Sequence, residues 1–195
     1  MSGLFEFVAQ SRVGTGKGVA GRIRRQGNVP AVIYGGHRDP QLLVLNHNEV
    51  VKHLAHEAVY SHILNIDIDG KVEQAVLKAV QRNPARFQIM HLDFMRIDMS
   101  ERLKVHVPLH FINEAVSVGV KKGGVVSHLM TDVEVSCLPG VLPEFIEIDL
   151  ANVDLGDTLH LSDLKLPVGV EIVVLTHGDE HNLPVVSVLS GKIAE

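Results

Sequence analysis

Asp69-Gly70 separates Ile63-Leu64-Asn65-Ile66-Asp67-Ile68 from the run Val72 to Val80, and this junction restricts the fold more than any other stretch. The first run alternates apolar and polar residues, the period of a strand with one face in a core. An Asp-Gly pair supplies the positive φ angles of a tight hairpin. Similar text recurs. Leu4 to Val8 reads as an opening strand. Ala31-Val32-Ile33-Tyr34 opens at Pro30 and closes at Gly35-Gly36, and Leu42 to Leu45 follows an Asp39-Pro40 turn, which makes a second hairpin. Asn83-Pro84 ends the strand begun at Val72, and Ile89 to Met95 forms another. One helix interrupts the strands: Asn46 caps it, and Val50, Val51, Leu54, Ala55 and Ala58 fall at helical spacing. The fold class is mainly β, of α+β type.

From Arg102 the chain reads strand after strand: Leu103 to Phe111, Val125 to Ser136, Phe145 to Leu150, Val170 to Leu175 and Val185 to Leu189. Such spacing predicts an all-β sandwich or roll. A length of 195 residues suits two small domains, with the boundary near Arg96 to Ser100, giving residues 1–96 and 97–195. Charge divides the same way. Residues 1–96 hold 12 Lys+Arg against 8 Asp+Glu, a net +4, and residues 97–195 hold 6 against 15, a net −9. Only the first half is suited to a polyanion, because nucleic-acid binding is driven by neutralised phosphates. No run approaches the roughly 18 apolar residues of a membrane span, so no membrane partner is expected. The start Met-Ser-Gly-Leu-Phe-Glu-Phe-Val lacks a secretory pattern, and the expected location is the cytoplasm. Cys137 is the single cysteine, which excludes an intrachain disulfide and reads as a small buried apolar residue.

The stretch Gly14 to Gly36 carries the strongest functional signal. Lys17, Arg22, Arg24 and Arg25 fall within it with no acid between them. They repel one another unless an anion lies across them. The segment reads as a loop with one helical turn around Ala20 to Arg25. Its glycines let a backbone approach phosphates, its arginines pair with phosphate or guanine, and Tyr34 at a strand end can stack on or bond to an exposed nucleotide. His91 and Asp93 project from one face of their strand and place a donor beside an acceptor. The ordinary alternatives are a solvated charged loop and a structural His-Asp pair.

Other chemistries lack their full patterns. Gly16 to Gly21 matches G-x-G-x-x-G, but hairpins follow it where a nucleotide fold needs βαβ units. As a phosphate-binding P-loop it has Ser11 at the first glycine and Gly18 at the Mg²⁺-holding hydroxyl. His53 and His56 lie one turn apart, yet Tyr60 occupies the second histidine position of a zinc-protease helix, so both read as residues of a solvated helix face. No Gly-x-Ser-x-Gly elbow is present. The expectation is no catalytic site, no metal, no cofactor and no small-molecule substrate.

Ordered short motifs across nearly the whole chain resemble one family. They include Gly16-Lys17-Gly18, Arg22-Ile23-Arg24, Pro30 to Gly36, Asp69-Gly70-Lys71, Val80 to Pro84 and His91-Leu92-Asp93-Phe94. The second half adds Val120 to Gly124, Cys137-Leu138-Pro139, Pro143 to Ile146, Gly156-Asp157 and Asp163 to Pro167. The chain is similar to the bacterial large-subunit ribosomal proteins that bind 5S rRNA (the L-twenty-five type), in the two-domain form also called CTC general stress proteins. The resemblance implies an N-terminal six-stranded β-barrel with short helices, a C-terminal β domain and no enzymatic activity. The implied partners are an irregular internal loop of 5S rRNA and the large ribosomal subunit with its rRNA and neighbouring proteins. The implied RNA contacts are Arg12, Lys17, Arg22, Arg24, Tyr34, Gln81, His91 and Asp93. Many relatives carry two adjacent arginines where this chain has Gly21-Arg22, and Arg25 is the candidate replacement. A rival reading is a stress-related interaction module whose acidic second domain makes the main contact, with Lys121-Lys122-Gly123-Gly124 as a basic patch, ordinarily a solvated hairpin turn.

Overall fold

The computed structural model describes residues 5–190, and Leu4 of the expected first strand lies outside them. Strand β1 (Glu6–Ser11) turns Phe7 and Ala9 inward. It leads into α1 (Lys17–Arg25), where the sequence suggested a loop with a single turn. Helix α1 has three supports that outweigh its glycines. Gly16, at φ 95, accepts from the Ala20 amide at 3.1 Å. Ile23 is buried, and Arg22, Arg24 and Arg25 occupy the last turn, where cations favour the helix dipole.

Strands β2 (Asn28–Gly35) and β3 (Arg38–Asn46) form the expected hairpin, but it turns at Gly36-His37 rather than at Asp39-Pro40. Pro40 is tolerated in β3 because it falls at the register shift between Ile33 and Gly35, where the ladder is already interrupted. Helix α2 (His47–Leu54) is capped by Asn46, whose Oδ1 accepts from the Asn48 and Glu49 amides at 2.9 and 3.3 Å. The expected stripe to Ala58 breaks after Leu54, and α3 (Ala58–Ser61) follows. Val50, Leu54 and Val59 join the core of the barrel. His53 is not on a solvated face, because its ring packs on Phe7 with centroids 4.6 Å apart.

Strands β4 (Leu64–Ile68) and β5 (Lys71–Arg82) meet at Asp69-Gly70, with φ 51 and 86, and β6 (Ile89–Arg96) completes the set. The six strands close in the order β1-β3-β2-β6-β5-β4, and β4 returns parallel to β1. Phe7, Ile33, Leu43, Ile66, Leu92 and Phe94 fill the interior. Near the end of β6, Arg96 is 5% exposed and donates from Nε to Glu73 at 2.6 Å, while Arg38 reaches the other Glu73 oxygen at 2.7 Å. Burial pushes the Glu73 carboxyl up, but the bond and charge of Arg96, aided by Arg38, outweigh it and hold the group below its ordinary value.

The chain divides into two compact units, Met1–Val105 and His106–Glu195. Most of β7 (Leu103–Ile112) lies in the second, followed by α4 (Val118–Lys121), β8 (Gly124–His128), β9 (Asp132–Cys137), β10 (Ile146–Asp149), β11 (Thr158–His160), β12 (Glu171–Ile172) and β13 (Pro184–Ser190). They build two sheets, β10-β7-β9-β12 and β11-β13-β8. Cys137 is buried among the apolar side chains of that core. The expected strand Val125 to Ser136 is broken, and its halves β8 and β9 enter different sheets. Of Val170 to Leu175 only β12 is strand, and a 3₁₀ turn follows at Val174–His177. Lys121-Lys122-Gly123-Gly124 is a helix end running into β8, not a hairpin turn, with Lys122 as the C-terminal cap and Gly123, at φ 87, reversing the chain just beyond it. A Cβ on Gly124 would lie 2.8 Å from the Gly119 carbonyl oxygen, so α4 needs glycine there to approach β8.

Among the described residues no helix is long and apolar enough to cross a membrane. No group of three His, Cys, Asp or Glu residues among them could hold a metal ion.

Candidate nucleic-acid interface

Alternation along β2, β5 and β6 sorts their side chains into a core face and an outer face. On β6, Leu92 and Phe94 point inward, which turns His91, Asp93 and Met95 outward. Gln81 of β5 stands opposite His91, and Ala79 stands opposite Asp93. On the other flank, Val32 of β2 stands beside Asp93 and Tyr34 beside Met95. Gln81, His91, Asp93 and Tyr34 therefore share one surface. The small Ala79 and the half-buried Val32 form a low floor on either side of Asp93.

His91 and Asp93 form a bond of 2.6 Å between Nδ1 and Oδ1, with side chains 26% and 36% exposed. An ionised carboxylate only accepts, so the hydrogen resides on Nδ1 and Nε2 is directed away from the pair. Tyr34 feels the same carboxylate: burial, and then the Asp93 charge, raise its hydroxyl pKa above the usual value. The hydroxyl stays protonated at neutral pH and can donate.

Helix α1 is joined to this surface by a backbone acceptor. Arg24 Nε donates to the Met90 carbonyl at 2.9 Å, one residue before His91. Lys17, Arg22 and Arg25 are exposed, and Arg25 lies one turn beyond Gly21, on the same side of the helix. A Cβ added at Gly18 or Gly21 would meet no atom within 4 Å, and neither residue has a positive φ. Each costs the helix about 1 kcal/mol relative to alanine. Neither packing nor backbone conformation accounts for them. Arg12 is set apart, since its half-buried guanidinium donates to the carbonyls of Leu43 at 3.2 Å and Gly14 at 2.6 Å.

Sequence reasoning passed over the Met90 carbonyl, Ala79 and Val32. A backbone acceptor leaves no trace in residue types, and Val32 lies in an apolar run whose faces become distinct only when β6 pairs with it. Neighbouring Arg82 is engaged by the protein, donating to the Tyr60 hydroxyl.

Residues 7–94 match the model of the ribosomal L25p family, and residues 102–192 match that of the ribosomal protein TL5 C-terminal domain. The chain is 58% identical over 195 residues to the large ribosomal subunit protein bL25 of Methylococcus capsulatus, covering 100% of this chain and 96% of that one. It is 51% identical to the protein of the same name from Cellvibrio japonicus, covering 100% and 97% of the two chains. The Pseudomonas aeruginosa protein is 52% identical over 174 residues, or 88% of this chain and 85% of that one. The barrel, the two further sheets and these matches agree, and the chain belongs to the ribosomal L25p family in the form that carries a TL5-type C-terminal domain.

Proposed function

We propose that the barrel of this protein, a structural and non-enzymatic component of the large ribosomal subunit, binds an irregular internal loop of 5S rRNA. The observation that carries the reading is the common outer face of Gln81, His91, Asp93 and Tyr34, bordered by α1 through the bond from Arg24 to Met90. An ordinary A-form helix hides its base edges in a deep groove, whereas non-Watson-Crick pairs widen that groove and expose them. A rigid sheet surface can select such a loop by shape. Lys17, Arg22, Arg24 and Arg25 then supply affinity by meeting phosphates, and Gln81, His91 and Tyr34 supply donors and acceptors for base edges. Asp93 would repel phosphate on its own; its role is to hold the His91 ring and to accept from a base amino group. A ribosomal role carries with it a cytoplasmic location.

The test is a gel shift of the full chain against folded 5S rRNA and against a regular RNA duplex of equal length, each at low and at physiological salt. Tight binding to 5S rRNA and weak, strongly salt-dependent binding to the duplex is the expected result. Equal affinity for both would reduce the barrel to a non-specific polyanion binder and end the proposal.

A further inference from the structure

The second unit holds a surface that RNA binding does not use. Strand β10 is the outer strand of its sheet and pairs only with β7 among the described strands. The Leu150 amide donates to the Ile112 carbonyl at 3.0 Å. By strand alternation the amides of Ile146 and Ile148 also face β7, and Glu147 and Asp149 turn their backbone N–H and C=O groups away from it. A groove of about 690 Å³ is lined by all four residues of β10 together with Leu159, Leu164, Lys165 and Pro167. Ile112 and Phe145 stand at its border, 37% and 39% exposed.

We propose that the open edge of β10 and its groove take an extended, Lys/Arg-rich polypeptide segment by strand addition. The backbone groups of Glu147 and Asp149 provide the ladder, and the apolar border receives alternate side chains of the guest. Charge selects the occupant. Glu147, Asp149 and Asp163 line the groove against Lys165 alone, and residues 106–195 hold 4 Lys+Arg against 13 Asp+Glu. Such a field repels nucleic acid and attracts a basic chain. Bonds from Asn113 and the Ala151 amide hold the Asp149 carboxyl below its ordinary range, so its charge persists under mildly acidic conditions. Self-pairing of β10 between two copies would oppose acid to acid, which is unfavourable across a ladder. Natural edges are often protected by lysine or proline, and Ile146-Glu147-Ile148-Asp149 contains neither.

The experiment uses the full chain with the synthetic peptide Lys-Val-Lys-Val-Lys-Val, its Glu-Val counterpart and a short poly(U) RNA as probes. Binding is followed by fluorescence anisotropy and by hydrogen exchange at the Glu147 and Asp149 amides. The expected result is binding of the Lys-Val peptide alone at this edge, with new protection at both amides. Glu147→Pro removes one outward N–H without touching the β7 ladder and should weaken the peptide about tenfold. Glu147→Lys keeps the backbone and should weaken it similarly through charge, which serves if the proline variant does not fold. Protection by the Glu-Val peptide or by RNA, unprotected amides at saturation, or unchanged affinity in Glu147→Lys would each overturn the proposal.

Discussion

The first unit closes its sheet and the second leaves its sheets open, and the difference decides where each can bind. A closed barrel has paired every strand on both sides, so its backbone offers nothing and recognition falls to outward side chains. His91, Asp93, Gln81 and Tyr34 are such side chains. The second unit ends its sheets at β10, β12, β11 and β8, and its backbone is available for pairing. Charge follows the same division: residues 1–105 hold 14 Lys+Arg against 10 Asp+Glu, whereas residues 106–195 hold 4 against 13. Under the two proposals, one chain joins a basic surface read by side chains to an acidic one read by main chain.

The two units also secure themselves differently, and this sets the largest expected effect. Glu73→Ala leaves Arg96 buried without its carboxylate and should cost the barrel about 3–5 kcal/mol in chemical denaturation. A loss under about 1 kcal/mol, a marginal effect for a buried pair, would mean that the pair does not hold the strand ends. The same carboxylate sets an acid limit. Its folded pKa lies below the ordinary 4.5, so its contribution is fully present above that value and is lost as pH falls through the folded pKa. Glu73→Gln should flatten the stability profile of the barrel in that acidic window, and an unchanged profile would assign the acid sensitivity elsewhere. In the second unit Gly124→Ala forces a Cβ to within 2.8 Å of a backbone oxygen and should cost about 1–3 kcal/mol by thermal melting. The smallest effect belongs to Arg24→Ala. It should weaken 5S rRNA binding about tenfold and reduce the salt slope by about one phosphate, and an unaltered slope would place Arg24 off the interface.

What the sequence reveals and what it hides follow the range of the interactions. Asp69-Gly70 and the alternation from Ile63 are local, so that hairpin is legible in the order of residues alone. The parallel pairings of β1 with β4 and β2 with β6 join distant segments, and no local pattern announces them. Helix α1 is hidden for a related reason. Its glycines read as loop, and what fixes it is burial of Ile23 and the bond from Arg24 to a carbonyl 66 residues away. The shared face of His91 and Asp93 is legible because a strand has period two. Their alignment with Tyr34 and Gln81 requires the register of three strands. In the second unit the β-branched run from Val170 reads as strand, yet the chain bends into a 3₁₀ turn after Ile172.

The barrel face, not the acidic unit, is the proposed RNA-binding surface. The most direct measurement compares the affinity of the full chain for folded 5S rRNA in Asp93→Ala and in Glu147→Lys. Asp93→Ala removes a negative charge and should nevertheless weaken binding, because the His91 ring loses its anchor, while Glu147→Lys should leave affinity unchanged or slightly raised through its added charge. Tighter binding by Asp93→Ala, or a loss confined to Glu147→Lys, would contradict the account.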